Sequence, residues 1–472
     1  MTAGEAPPYP GRSFWLLDAL QSDPGEPCPP LAEDREADVV IVGGGYTGLW
    51  TAHRLLELEP ALDVVVLERD ICGGGPSGRN GGFLNGFWES LDSLVELFGA
   101  EPALRLARAA DESVLDIGAW CERHGVDALY TLRGDLGVAT SPAQEGRWRD
   151  LVATARRLGA GDEVVELSPD EVAARIRLPH RGGGVLVPTG ATVQPARLAR
   201  GLRRVVLGQG ARIYEGSPVV RFRAGPPAAA ETPGGVVTAR AAVLATNAWL
   251  ASLRPFRRRL TLRGAYMVIT APAPERLAET GWTGGEGVWN LRPAVNYFRT
   301  TPDGRIAFGT GGMQPGLARS IGPGFDWDAR FVQEVARQFR RMFPAFRDVP
   351  LEAAWGGPID VSGAHMPFVG SLPPGHVHYA AGYTGNGVGP CHLAGRILAR
   401  LVLGLEDELT RLPIVGFEPK RFPPEPLRSL GALAVNEAVL RSDRAEDEGR
   451  RPSRVAGALA RLPRRFGYHL GA

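Results

Sequence analysis

ADVVIVGGGYTGLWTAHRLLELEPALDVVVLERD, residues 37–70, is the stretch that decides the fold. Asp38 to Val42 is a β-branched run suited to a strand buried on both faces. Gly43-x-Gly45-x-x-Gly48 follows at once and opens a helical pattern, and a second apolar run, Val64 to Leu67, ends on Glu68. Each piece has a physical job. Gly43 permits the tight turn, Gly45 lets backbone approach a pyrophosphate, and Gly48 lets helix and strand pack closely. The helix start offers unpaired N–H groups and a positive dipole end to phosphates. Glu68, 20 residues beyond Gly48, is placed to accept both hydroxyls of an adenosine ribose. A GxGxxG alone is only a glycine-rich turn. With strand, helix, second strand and acid in this order it predicts a dinucleotide site for FAD or NAD.

A chain of 472 residues exceeds one compact core, so two or more domains are expected. A net charge of +1 gives no bulk attraction for nucleic acid or a membrane surface. Lys420 is the one lysine, so Schiff-base or lysine-base chemistry is excluded everywhere else. Cys28, Cys72, Cys121 and Cys391 are scattered, with no CxxC and no metal-ligand spacing, which predicts free thiols and no metal. The start, MTAGEAPPYPGRSF, lacks a basic region followed by an apolar one. No apolar run approaches the ~18 residues of a membrane span. A soluble, cytoplasmic protein is expected.

Residues 1–36 read as a proline-rich arm pinned by Trp15-Leu16-Leu17. Residues 71–86 form a glycine-dense loop, residues 89–125 have helical periodicity, and residues 128–140 suggest a hairpin around Arg133-Gly134-Asp135. Residues 144–177 are again helical, with Ser168 as a cap and Pro169 at the first helical position. Ala241 to Thr246 is a second apolar strand ending at Asn247. Residues 262–310 alternate as in an antiparallel sheet, and helices follow at 328–343 and 391–403. The expected fold is α/β, a discontinuous Rossmann-like nucleotide domain carrying an inserted, mostly antiparallel substrate domain. Residues 37–95, 182–255 and 351–410 are assigned to the first, and residues 96–181 and 256–350 to the second. Residues 411–472 are a C-terminal extension. Its last part, from Arg441, holds eight arginines against four acids. There Val455, Leu459 and Leu462 suit an amphipathic helix packed on the body or on another subunit.

Further motifs carry a family likeness: PSGRNGG (76–82), VQPARLARGL (193–202), AVLATNAW (242–249), YFRTTPDGRIAFG (297–309), WGGPIDVSGAHMPFVG (355–370) and GYTGNGVG (382–389). With the glycine turn, they make the chain resemble the FAD-dependent amine and amino-acid oxidoreductases. That superfamily includes D-amino-acid, glycine and sarcosine oxidases, and the γ-glutamylputrescine oxidoreductase-like branch is the nearest in pattern. The resemblance implies noncovalent FAD at the domain interface. Gly43, Gly45 and Gly48, with Tyr46, Thr47, Glu68 and Arg69, would hold the ADP half. Ser77, Arg79, Asn80, Gly81 and Gly82 would wrap the pyrophosphate, ribityl chain and flavin edge. Val219 would meet the adenine through its backbone. Thr246, Asn247 and Gly357 would lie close to the cofactor. Gly385, Asn386, Gly387 and Val388 would bring a helix start to the flavin O2 and N1 edge, where its dipole stabilises negative charge. Ser77 is also a turn former, and Arg79 also reads as an ion-pair residue.

The implied chemistry is oxidation of a C–N bond by hydride transfer to flavin N5, giving an imine that hydrolyses, with oxygen or another electron acceptor. No dedicated base is required, because a desolvated pocket keeps the amine neutral. Two departures from the relatives stand out. Ile359 fills the place of the arginine that clamps an amino-acid carboxylate, which favours an amine or a more distant acid group. The place of a flavin-facing lysine falls near Ala307, which puts reactivity with oxygen in doubt. Trp88, Tyr266, Tyr297, Arg299, His365 and Asn386 are pocket candidates. The two tyrosines would line the cavity or simply pack. Arg299 would bind a remote carboxylate or form an ion pair, and His365 would face the flavin or support a turn. Asp360 would attract a cationic amine or hold a turn. A flavin monooxygenase and a noncatalytic FAD-holding subunit are the alternative readings, and a homo-oligomer is compatible with the tail.

Overall fold

The computed structural model describes residues 6–316 and 321–469. The strand Arg35–Val42 lies between two parallel neighbours, Val64–Leu67 and Gly235–Leu244. Val40, Ile41, Val65 and Val66 are fully buried, because helices or strands cover both faces. Arg212–Tyr214 extends this sheet on one side and Ala228–Thr232 and Arg221–Arg223 on the other. The C-terminal half of Gly235–Leu244 also pairs with Val377–Ala381, which Phe368–Leu372 follows. Helices Tyr46–Leu58 and Val388–Leu403 pack so closely that a Cβ on Gly395 would lie 2.6 Å from Trp50 Cβ.

The second sheet runs Leu351–Ser362, Leu260–Thr270, Ile306–Gly316, Asn296–Thr300, Gly287–Asn290, Asp135–Val138, Gly184–Val187 and Val165–Leu167. It is antiparallel except where Gly287–Asn290 meets Asp135–Val138. One face buries Val268, Val288, Phe298 and Phe308 against Phe339 and Phe343 of the helix Ala329–Met342 and the turn after it. The other face looks toward the nucleotide sheet.

Several expected boundaries shift. Gly184–Val187 and Leu351–Ser362 were assigned to the nucleotide domain but belong to the second sheet. Alternate residues of Leu351–Ser362 point at the nucleotide side while its backbone pairs with Leu260–Thr270, so the motif reads as cofactor-proximal. Residues 128–140 form no hairpin. Gly134, at φ +91°, donates to Gly190 O at 2.7 Å. Thr131–Leu132 then joins a short sheet with Ala191–Thr192 while Asp135–Val138 enters the large one. The arm is not wholly irregular. Phe14–Ser22 is a helix capped by Ser13, with Trp15 and Leu16 buried. Residues 144–177 include a strand, Val165–Leu167, before the Ser168–Glu171 capping box.

The C-terminal helix Leu427–Asp447 packs on the second sheet. Asn436 Nδ2 donates to Met313 O at 3.1 Å, and Asp443 accepts from Ala294 N at 3.1 Å. Arg292, nearly fully buried, joins Asp443 at 3.4 Å and Asp447 at 3.2 Å. The helix Leu427–Asp447 therefore packs on the body, whereas Val455, expected on a packed amphipathic helix, is exposed on the helix Arg454–Ala460, which buries none of its residues. Among the described residues no helix is long and apolar enough to cross a membrane.

Candidate active site

The glycine turn has the geometry its spacing predicts. Gly43 has φ +113°, and a Cβ there would lie 2.6 Å from Ala245 O. A Cβ on Gly48 would collide with the Gly43 carbonyl, and one on Gly45 would lie 2.9 Å from Ser77 Oγ. Tyr46 and Thr47 begin the helix. Tyr46 N donates to Ser77 Oγ at 2.9 Å, and Thr47 Oγ1 lies 2.8 Å from the Tyr383 hydroxyl and 3.1 Å from Cys391 Sγ. Glu68 accepts from Gly44 N at 2.8 Å and Asp70 N at 3.0 Å, which fixes its carboxylate at the strand end. Burial pushes its pKa up. Ser217 N donates to Glu68 O at 2.7 Å, which brings Val219 to the same strand end. Arg69 is exposed and lies over the Trp249 ring at 5.0 Å.

The loop at 76–82 is tied to itself and to the second sheet. Asn80 Oδ1 accepts from Gly82 N at 2.7 Å, and its amide donates to Pro76 O and Ser77 O. Arg79 donates to Asp326 at 2.8 Å, Gly356 O at 3.1 Å and Gly74 O at 3.0 Å, so the ion-pair reading of Arg79 has its partner. Gly357 faces it, 3.7 Å from the Arg79 side chain if a Cβ were present. Across the cleft, Gly385 (φ +93°), Asn386 and Gly387 remain accessible at the start of the helix Val388–Leu403. Asn386 Nδ2 donates to Gly86 O at 3.0 Å. Thr246 and Asn247 close the strand from the other side, with Asn247 Nδ2 donating to Asp360 Oδ1 at 3.0 Å. Asn247 Oδ1 and Asn386 Oδ1 are buried without a partner among the described residues. A glycine cradle that any Cβ would fill, a fixed acid and two unpaired amide oxygens fit an extended dinucleotide.

Strand register sorts the substrate candidates. Tyr297 pairs with Gly309, Gly309 with Met267, and Met267 with Trp355, so these four share the inward face. Tyr297 is half-buried against Gly81 and Phe83, and its hydroxyl has no partner among the described residues. Tyr266, one residue from Met267, points to the opposite face. It stacks on Phe331 at 5.3 Å and donates to Gly324 O at 2.6 Å, so it is a packed tyrosine and no cavity residue. Arg299 shares the Tyr297 face but is sealed in. Its guanidinium donates to Val193 O and Gly82 O under the Trp15 ring, and burial lowers its pKa to about 10. Among the described residues no carboxylate reaches it. Trp88 is likewise buried, donating to Asp111. Asp360 is fully buried and accepts from Gly382 N, so it holds a turn and cannot attract a substrate cation. His365, at φ +59°, is exposed, with Arg263 and His469 nearby.

The accessible residues of the inward face form a stripe: Arg263, Ala265, Val295, Tyr297, Gly357 and Ile359. Ile359 Cδ1 lies 3.7 Å from the Gly385 Cβ position, so the stripe faces the exposed glycine turn. Arg263 was missed, because its side depends on a register that no spacing within one strand reveals. Asn85, Glu89 and Asp135 were missed too. Asn85 Nδ2 bridges the two acids at 2.9 and 3.2 Å, and burial beside Asp135 pushes the Glu89 carboxyl up.

The family model DAO, FAD dependent oxidoreductase, matches residues 38–401. Over 415 residues the chain is 31% identical to a probable oxidoreductase OrdL of Rhizobium meliloti (strain 1021), covering 86% of this chain and 92% of that protein. Over 423 residues it is 30% identical to the gamma-glutamylputrescine oxidoreductase of Escherichia coli (strain K12), covering 86% and 93%. The crystal structure of glycine oxidase from Geobacillus kaustophilus superposes with a TM-score of 0.65 over 81% of this chain and 98% of that one. At 22% identity that likeness shows the fold alone. With the glycine turn, the fixed Glu68 and the late Gly385–Val388 turn in place, the chain belongs to the DAO family of FAD-dependent oxidoreductases.

Proposed function

We propose that this chain holds FAD noncovalently and oxidises the C–N bond of an amine or amino-acid-like substrate bound along the stripe facing Gly385–Val388. FAD, when bound, supplies the hydride acceptor. The observation that carries the reading is that stripe, apolar at Ala265, Val295 and Ile359 and facing the exposed glycine turn at Gly385. Its apolar residues exclude water, which favours the neutral amine over the ammonium. The free hydroxyl of Tyr297 is available to orient the substrate. The amides of Gly387 and Val388 open their helix with no carbonyl a turn earlier to take them, so they offer hydrogen bonds and a dipole to developing negative charge. No histidine lies in residues 71–86 and no cysteine in residues 351–390, the two places where a covalent flavin link would form. The gamma-glutamylputrescine oxidoreductase relative supports an amine as the substrate.

The test is the visible spectrum of the purified holoenzyme during anaerobic addition of amines and amino acids. Bleaching of the flavin bands by one class supports the reading. A bound flavin that none of them reduces overturns it.

A further inference from the structure

The family-like motif Trp355 to Asp360 puts Ile359 where an arginine would otherwise reach a substrate carboxylate. Arg263 sits directly opposite Ile359 on the neighbouring strand. Residues paired across a sheet project to the same face. Ile359 meets the Gly385 turn, so Arg263 projects toward the same opening. Arg263 Nη1 donates only to Gly312 O at 3.1 Å and Asn436 Oδ1 at 3.4 Å, and no carboxylate among the described residues pairs with it. It is half-buried, and Asn436 belongs to the C-terminal helix, outside the matched residues 38–401. Other inward-facing arginines are taken: Arg299 lies under Trp15, and Arg79 is paired with Asp326. A desolvated guanidinium without an acid partner is the residue type best suited to a carboxylate fork.

We infer that Arg263 receives a carboxylate of the substrate, so that the amine oxidised here carries an anionic group remote from the reacting carbon. The neighbouring strand thus restores a charge that the Ile359 position lacks. The inference rests on the amine-oxidation reading for its chemistry, but its test does not need turnover.

The holoenzyme is titrated with propionate and benzoate, and with their neutral amides propionamide and benzamide, following the flavin absorbance. The wild type should bind each carboxylate at least tenfold more tightly than its amide. Arg263→Gln should weaken carboxylate binding about 10- to 100-fold and leave amide binding unchanged, with Arg263→Lys between them. Equal binding of acid and amide by the wild type overturns the inference, and this arm requires no variant to fold. Unchanged carboxylate binding in Arg263→Gln also overturns it. So does a loss confined to sulfite addition at the flavin, which would assign the charge to the cofactor. If carboxylates bind as expected but no amine bleaches the flavin, the inference stands and the amine reading fails. If 4-aminobutanoate and butylamine reduce the flavin equally well in wild type and variant, the amine reading stands and the inference fails.

Discussion

Glu68 and Asp360 show two opposite uses of a carboxylate. Glu68 is held by Gly44 and Asp70 amides with its oxygens at the strand end. Glu68→Ala removes acceptors for ribose hydroxyls, each charge-assisted bond worth about 1.5–3 kcal/mol. FAD should bind the apoprotein about 10- to 100-fold more weakly, measured by titration of flavin fluorescence, and an unchanged affinity would remove Glu68 from the site. Asp360 is fully buried, and desolvation raises its pKa from the ordinary 3.8 to about 6. The folded state therefore binds this proton more tightly than the unfolded chain. The associated stability is complete below pH ~4 and is lost as pH rises to ~6, a difference of about 3 kcal/mol. Asp360→Asn should flatten that decline, so its melting temperature should gain on the wild type between pH 4 and 6. Parallel curves would show that Asp360 does not titrate in this range. Gly43, Gly48 and Glu68 were legible in the sequence because their constraints are local to one turn. Tyr266, Tyr297 and Arg263 were not, because which way each points is set by pairing with strands far along the chain.

At the level of elements, contact between the helix Tyr46–Leu58 and the glycine turn that precedes it is the least tolerant feature. A methyl group on Gly48 meets the Gly43 carbonyl, which cannot move without opening the turn. Gly48→Ala should abolish FAD retention during purification while leaving far-UV circular dichroism close to wild type, and a yellow, FAD-saturated variant would contradict the geometry. The C-terminal helix is anchored differently, by Asp443 and Asp447 around buried Arg292. Asp443→Ala leaves that guanidinium with one acid fewer in a dry setting, and removing one partner of a buried pair costs about 3–5 kcal/mol. Limited proteolysis should then cut within residues 404–426, and protection equal to wild type would show that apolar contacts alone hold the helix. The Ser168 cap and the helix at 328–343 were readable from composition and period. The two strands that change sheets were not, since a strand's sequence carries its face pattern but not its partner.

For the whole molecule, the two sheets and the arm decide what reaches the cofactor face. Ala307 takes the place of a possible flavin-side lysine, and it is packed among Trp15, Met267 and Trp355. With no lysine at that position, reduced enzyme should reoxidise at least ~100-fold more slowly in air than with an artificial quinone acceptor, followed by stopped flow. Equal rates would show that oxygen needs no lysine here. The order of motifs revealed a discontinuous nucleotide domain, because each apolar strand and glycine turn marks itself locally. How the pieces close on each other was not readable: Thr47 touches Tyr383 across 336 residues, and Asn386 reaches Gly86 across 300. That closure has a consequence during synthesis. The glycine turn leaves the ribosome early, but its lid at Gly385–Val388 does not exist until most of the chain has been made. At about 5–20 residues per second the nascent protein spends tens of seconds with half a binding site. Flavin capture must therefore wait until most of the chain has been made, and a message cut short before Leu403 would yield a colourless chain rather than a weaker enzyme.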